Sequence, residues 1–431
     1  MPKPVQIYCP DPTERHDYIF DLVFNNLLGV SFSYTEEIDS SHVNYSTENG
    51  LSLKVVPCGL LNESSIRLDI LSEVKFSHWA DTSIFFRTES EIIPFDIFSA
   101  IFFLVTRYEE YLNFNPDDHG RFPVTESVLF KNGVLEQPLV NQWVKFLKKE
   151  LEKNHSLTFP PRKFSYKSTI DIDQAWKYKN KGFVRNTLGF FRDILKFDIN
   201  ELKERYLVLS GKKVDPYYNF DWQDRVHENQ NVDVTYFLLL GKYSKFDKNI
   251  SSDNIQFRKL IRELDERYKL GIHPSYISNN DESQLNRELF NLNEILKSNT
   301  SVSRQHYLIH SMPKTYQNLI KLGINEDHTM GYSTHIGFRA GIASSFLWFD
   351  LKNNKKTNLK LIPFCVMDIT PMYYRKELPS EAIKTIKSLI KTIKDVDGLF
   401  VSLWHNDSLG ESDRWIGWRK VYLAMLEEIK R

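Results

Sequence analysis

Hydrophobic and polar positions along the chain follow two rhythms, which change near the Pro160–Pro161 pair. Before it, both element types are mixed. A 3.6-residue period predicts an amphipathic helix over Asp17–Leu28, and a strand follows near Val30–Tyr34. Short alternating stretches at Leu51–Val56 and Ser83–Phe86 read as further strands. Pro94 and Asp96 open a long apolar helix running toward Tyr111, Asn115–Gly120 is a turn, and Leu139–Leu151 is a second amphipathic helix. The proline pair marks a boundary, dividing the chain into a smaller α/β region (1–158) and a larger one (159–431).

From Tyr166 onward, short apolar runs alternate with capped helices. Strands are expected at Ser168–Ile172, Val234–Leu240, Leu270–His273, Arg304–Ile309, Leu359–Phe364 and Leu399–Trp404. Helices are expected at Asn254–Tyr268, Glu282–Lys297, Lys314–Leu322, Glu381–Lys394 and Trp415–Ile429. Asp253 and Ser380 fall where N-caps belong, and Gly323 falls where a helix would end. Alternating βα units imply a parallel sheet or a barrel. Between Trp176 and Asn229 lies a Lys-, Arg- and aromatic-rich segment with helical spacing at Val184–Leu195 and Ile199–Leu209. It reads as an inserted excursion, either a functional lid or a plain packing extension.

The stretch Ser168–Thr169–Ile170–Asp171–Ile172–Asp173 carries the strongest chemical signal. On a strand, alternate side chains share a face, so both carboxylates point the same way where the strand ends. Like charges that close are costly unless a metal, an arginine or a shared proton relieves them. Other strand ends carry similar groups: His273, Arg304 with His306, and His405. In α/β folds chemistry collects at the carboxyl ends of the strands, and chance would scatter such residues over helices and loops.

Composition narrows the classes. A length of 431 residues suits two domains, and a formal charge of zero with no basic domain argues against nucleic acid as a partner. The most apolar run, Ile97–Val105, is too short to span a bilayer. The N-terminal sequence has no apolar signal region. Cys9, Cys58 and Cys365 form no close pair, so reduced thiols are expected, as in a cytoplasmic protein. Aromatic content of 14% suits sugar stacking, though a large core explains it equally. Trp176 and Trp404 are the stacking candidates, with core packing as the alternative.

An Asp-x-Asp at a strand end has other readings. A haloacid-dehalogenase-type phosphatase would want Thr or Val where this chain has Ala175, and a nucleotide-sugar glycosyltransferase would want an upstream nucleotide pocket. Taken with His273, Arg304 and His405 in this order, residues 166–431 resemble the polysaccharide deacetylases of the NodB-homology type, carbohydrate esterase family four. The N-terminal part resembles an uncharacterised domain that accompanies some bacterial members. The resemblance implies a distorted (β/α) barrel and N-deacetylation of an amino sugar or glycan precursor, or a related hydrolysis of a non-peptide C–N bond. It implies Asp171 as general base, Asp173 as ligand to a divalent metal with zinc the expected ion, and Arg304 as the group that orients the base. Asp327 matches its fourth acidic position and His405 its general acid.

The family's second motif has two histidines, whereas His273–Pro274–Ser275–Tyr276–Ile277 has only the first. Catalytic zinc usually has three protein ligands, so His306 is the candidate for the third. Tyr276 is expected to contact the substrate. Arg339, in a glycine-punctuated loop, would bind a substrate carboxylate or phosphate, or pair with Asp327 or Asp350 to hold the loop. His328 and His335 are expected to be solvated loop residues, and Asp407 either orients His405 or caps a helix. Three classes stay open: a metal-dependent amidohydrolase on an N-acetylated sugar, a metal-independent C–N hydrolase on the same barrel, and a non-catalytic carbohydrate-binding pseudoenzyme.

Overall fold

The computed structural model describes residues 3–431. Its N-terminal part holds a four-stranded parallel sheet in the order Phe32–Thr35, Val5–Tyr8, Val43–Asn44, Leu53–Lys54. The first helix begins earlier than its apolar period suggests, because the Thr13 hydroxyl accepts the Arg15 amide and caps Glu14–Phe20. It continues through a wide π-type turn, Asp21–Leu28, and ends at Gly29 with φ +69°. Asp96 caps the apolar helix Ile97–Val105, its carboxylate accepting the Ser99 amide. That helix stops short of Tyr111: Arg107 turns left-handed (φ 54°) and sends its guanidinium to Glu109 and Glu110.

The larger region is built on a nine-stranded sheet. Its order is Phe346–Asp350, Lys355–Leu361, Glu326–Asp327, Val302–Ser303, Lys269–Ile272, Val234–Leu238, Ser165–Ile172, Leu399–His405, Val366–Met367. All pairings are parallel except the edge hairpin Phe346–Asp350/Lys355–Leu361. Among the described residues no ladder joins the two edge strands, so the sheet is open where a distorted barrel was expected. The parallel strands alternate with helices that include Ile255–Asp265, Glu282–Leu296, Lys314–Lys321, Pro379–Lys394 and Trp418–Lys430.

Several local expectations shift. The strand expected over Arg304–Ile309 is only Val302–Ser303, and the chain then coils with Tyr307 and Leu308 at φ 58° and 54°. The Gln305 amide leaves the ladder for Thr329 Oγ1, and the His306 amide goes to the Pro274 carbonyl. Asn254, not Asp253, caps its helix, accepting amides from Gln256 and Phe257. Ser380 lies inside the helix that Pro379 starts, and the Glu381 carboxylate accepts the Leu378 amide instead. Gly323 adopts φ +81° just past Lys314–Lys321, as a helix stop requires. The short strands Glu326–Asp327 and Val366–Met367 carry too few residues for any period to show.

One apolar cluster runs across both regions without a break, from Val5 to Leu426. Tyr18 meets Phe349 at a ring distance of 5.0 Å, and the Phe338 amide donates to the Leu135 carbonyl. Gly337, at φ 130°, passes so close to Leu135 that a Cβ would lie 2.4 Å from its carbonyl oxygen. The N-terminal part therefore serves as one wall of the larger region. The three cysteines are free thiols.

Candidate active site

A cleft of about 330 Å³ opens at the carboxyl ends of the parallel strands. Asp171, Asp173, His273, His306 and His405 line it, with His119 and Arg121 from the N-terminal part on one side. Asp171 is paired in register with His405, the last residue of the neighbouring strand. His273 follows Lys269–Ile272, and Arg304 follows Val302–Ser303.

Asp173, His273 and His306 converge at the centre, their ligand atoms all within 4.8 Å of one another. Asp173 Oδ1 lies 3.4 Å from His273 Nε2, and its Oδ2 lies 3.5 Å from His306 Nε2. Both imidazoles are oriented from behind: His273 Nδ1 lies 2.5 Å from the Arg304 carbonyl and His306 Nδ1 lies 2.8 Å from Asp247 Oδ1. Each therefore turns Nε2 inward, the arrangement that metal-binding histidines adopt. Asp173 Oδ1 is buried without a hydrogen-bond partner. Two nitrogens and a carboxylate, one of whose oxygens is orphaned, suit a divalent cation with an open coordination position. Burial works against a charge on His306, but Asp173 and Asp247 outweigh it and push its pKa up to about 9. Burial likewise works against the Asp173 carboxylate, yet His306 and His273 hold it well below the usual range. A field that holds a proton this firmly also favours a cation, and the two would compete.

Arg304 is fully buried and donates through Nη1 to Asp171 Oδ1 at 2.8 Å. Its guanidinium lies 4.5 Å from the Phe237 ring centre, and its Nε donates to the His328 carbonyl. Gly271 makes room for that ring, since a Cβ there would stand 2.7 Å from Phe237 Cε1. Asp171 Oδ2 faces the metal-type cluster, 3.6 Å from His273 Nε2. On the neighbouring strand, His405 Nδ1 is 3.0 Å from Asp368 Oδ1, and the His405 amide donates to Asp368 Oδ2. Burial opposes its charge, but Asp368, Asp173 and Asp171 together raise the His405 pKa well above 6.5. The imidazole is thus held protonated.

Other expected residues lie elsewhere. Asp327 is buried and fully engaged by Ser303 and Thr329, outside the cleft. Arg339 pairs neither with Asp327 nor Asp350: Glu110 takes it bidentately at 2.9 and 2.8 Å, Nη1 donates to the Gly331 carbonyl, and the side chain is buried outside the cleft. Trp404 faces the core, with Tyr422 at 4.9 Å, and Trp176 stacks on Tyr218. Tyr276 stacks on Phe246 at 4.0 Å and meets His119, supporting the cleft wall from behind. His328 is fully buried against Glu326 rather than solvated, and His335 is half-buried. Asp407 accepts from the Trp415 indole, so Asp368 is the residue that orients His405. Asp368 and Asp247 escaped sequence reasoning. Neither ends a patterned run, although Asp368 follows directly on a short edge strand. Ile277 sits half exposed on a short 3₁₀ turn and is no member of the cluster, whereas His306 is.

A family of unknown function, DUF7033, matches residues 5–156. No curated protein matches the chain. Solved structures with some likeness include a protein assigned as a polysaccharide deacetylase from Mycobacterium smegmatis, 13% identical over 62% of this chain and 85% of that one, with a TM-score of 0.40. A polysaccharide deacetylase from Bacillus cereus is 13% identical over 63% and 88%, with a TM-score of 0.30. An allantoinase is 10% identical over 63% and 88%, with a TM-score of 0.39. At such scores the meaning of the cleft rests on its own geometry: a cation-type cluster flanked by a fixed carboxylate and a protonated imidazole.

Proposed function

We propose that this protein hydrolyses a non-peptide C–N bond, removing an N-acyl group, foremost N-acetyl, from an amino sugar or glycan precursor. The observation that carries this reading is the placement of two ion pairs, Asp171–Arg304 and His405–Asp368, at the ends of neighbouring strands beside the Asp173–His273–His306 cluster.

Asp173, His273 and His306 would hold a divalent cation, whose chemistry is to polarise an amide carbonyl and acidify water. Asp171 takes the proton from the attacking water, its carboxylate fixed by Arg304. His405 gives its Nε2 proton to the leaving nitrogen, and Asp368 holds the ring with Nδ1 turned away. Tyr307 and Tyr374, both partly exposed in the cleft, offer ring faces to a sugar.

Elemental analysis of the purified chain and of Asp173→Ala tests the cluster, and acetate release from N-acetylated amino sugars tests the chemistry. We expect one divalent ion per chain, lost in Asp173→Ala, and turnover abolished in Asp171→Asn. Absence of metal after reconstitution, or full turnover by Asp171→Asn, would overturn the reading.

A further inference from the structure

The inserted excursion is built inside out. Helix Gly182–Leu195 carries Val184, Leu188, Phe191 and Leu195 at i, i+4, i+7 and i+11, one stripe of a helix. Such a stripe normally faces a core. Here these four, with Phe183 and Phe197, are 56 to 88% exposed. The opposite face, which packs on helix Ile199–Leu209, is ionic. Asp193 receives Arg205 through Nε and Nη2 at 3.0 and 2.6 Å, and Gly189 leaves the space that the Arg205 guanidinium fills. Ile199 and Tyr206 on the second helix extend the exposed apolar surface.

Charge surrounds this surface. Between Lys177 and Lys213 there are ten Lys and Arg against four Asp and Glu, an excess of six positive charges in a chain whose formal net charge is zero. Lys196, Lys203 and Lys212 are exposed beside the stripe. A second copy of the chain is a poor occupant, because a twofold interface would set this positive rim against itself. A phenylalanine- and leucine-rich face with a basic rim matches what interfacial helices present to anionic lipid.

We propose that the helical pair Gly182–Leu195 and Ile199–Leu209 docks the protein on an anionic lipid bilayer, with Leu188, Phe191 and Leu195 entering the headgroup boundary. A basic pocket under the pair, lined by Lys181, Arg185 and Arg205, shares Gln174 and Lys248 with the active-site cleft. Docking therefore sets that cleft beside the headgroup layer.

The test is co-sedimentation of the full chain with phosphatidylcholine vesicles, with and without phosphatidylglycerol, over a range of salt. The chain is expected to bind the phosphatidylglycerol vesicles and to leave them as salt rises. Leu188→Ser/Phe191→Ser/Leu195→Ser should weaken binding about tenfold or more, with an unchanged melting temperature because all three side chains are exposed. Lys196→Glu/Lys203→Glu/Lys212→Glu should weaken it about as much on the anionic vesicles. Failure of the wild-type chain to bind at low salt, or undiminished binding by the triple serine variant, would overturn the proposal. So would a wild-type dimer that the serine variant dissolves, which would assign the face to self-association.

Discussion

Arg304 and Asp171 form a buried 2.8 Å ion pair although two strands, Lys269–Ile272 and Val234–Leu238, stand between their own strands in the sheet. The guanidinium spans that gap over the Phe237 ring. A lysine lacks both the planar fork and the flat face for that ring. Arg304→Lys should therefore lower kcat/KM for the proposed amide hydrolysis about a hundredfold while leaving cation binding at the cluster unchanged. Paired steady-state and elemental measurements check it; equal activity would remove Arg304 as a positioning residue.

The His405–Asp368 pair sets a pH dependence. The imidazole's pKa lies well above 6.5, so it stays protonated through neutral pH, and as the proposed acid it would lose its proton only as pH rises through that raised value. Asp368→Asn removes the main raising charge. The alkaline limb of the pH–rate profile should then move toward lower pH, with kcat falling more than KM rises. An unmoved limb would mean that another group is the acid.

Asp247 acts on the metal-type cluster only through His306. Asp247→Asn should weaken cation affinity about 10- to 100-fold. His306→Ala should abolish stoichiometric binding. Competition titration with a chromogenic chelator measures both, and retention of full affinity in His306→Ala would remove His306 as a ligand.

Arg339 belongs to the framework. Glu110 binds it bidentately, also receives Arg107, and has His310 within 3.5 Å. Glu110→Gln would leave buried guanidinium charge uncompensated, at a cost of about 3–5 kcal/mol. Chemical denaturation reads that loss directly, and an effect near zero would show that the network contributes no stability.

Three histidines make the fold acid-sensitive. Burial lowers His16, His227 and His328 to about 4 from 6.5. With folded pKa values below the unfolded one, the unfolded chain takes up protons first as pH drops. Their contribution is complete above pH 6.5 and is lost as pH falls through about 4, by up to about 3 kcal/mol per group. Urea unfolding across that window should show falling stability, with a shallower slope in His227→Gln, which keeps a donor for Tyr422 and does not titrate.

Asp171, Asp173, His273 and His405 were legible because each ends or follows an apolar run, and a parallel sheet brings such ends together. Alternation also excludes Trp404 from the face that His405 presents, although aromatic character alone had suggested a sugar contact. Arg304–Ile309 misled because its apolar residues serve a buried coil, where Tyr307 and Leu308 take left-handed angles that no period encodes. Asp247, Asp368 and the Glu110–Arg339 pair were invisible for a different reason. Their partners lie 59, 37 and 229 residues away, so only the closed fold selects them.

The uninterrupted apolar cluster has a consequence for ancestry. The DUF7033 match ends at residue 156, yet Tyr18 is seated on Phe349, Phe338 hangs from the Leu135 carbonyl, and Arg15 reaches Asn354. A lineage that carried either portion into another gene would inherit an open hydrophobic wound along this seam. Each portion alone would expose to water the apolar surface that the other now covers.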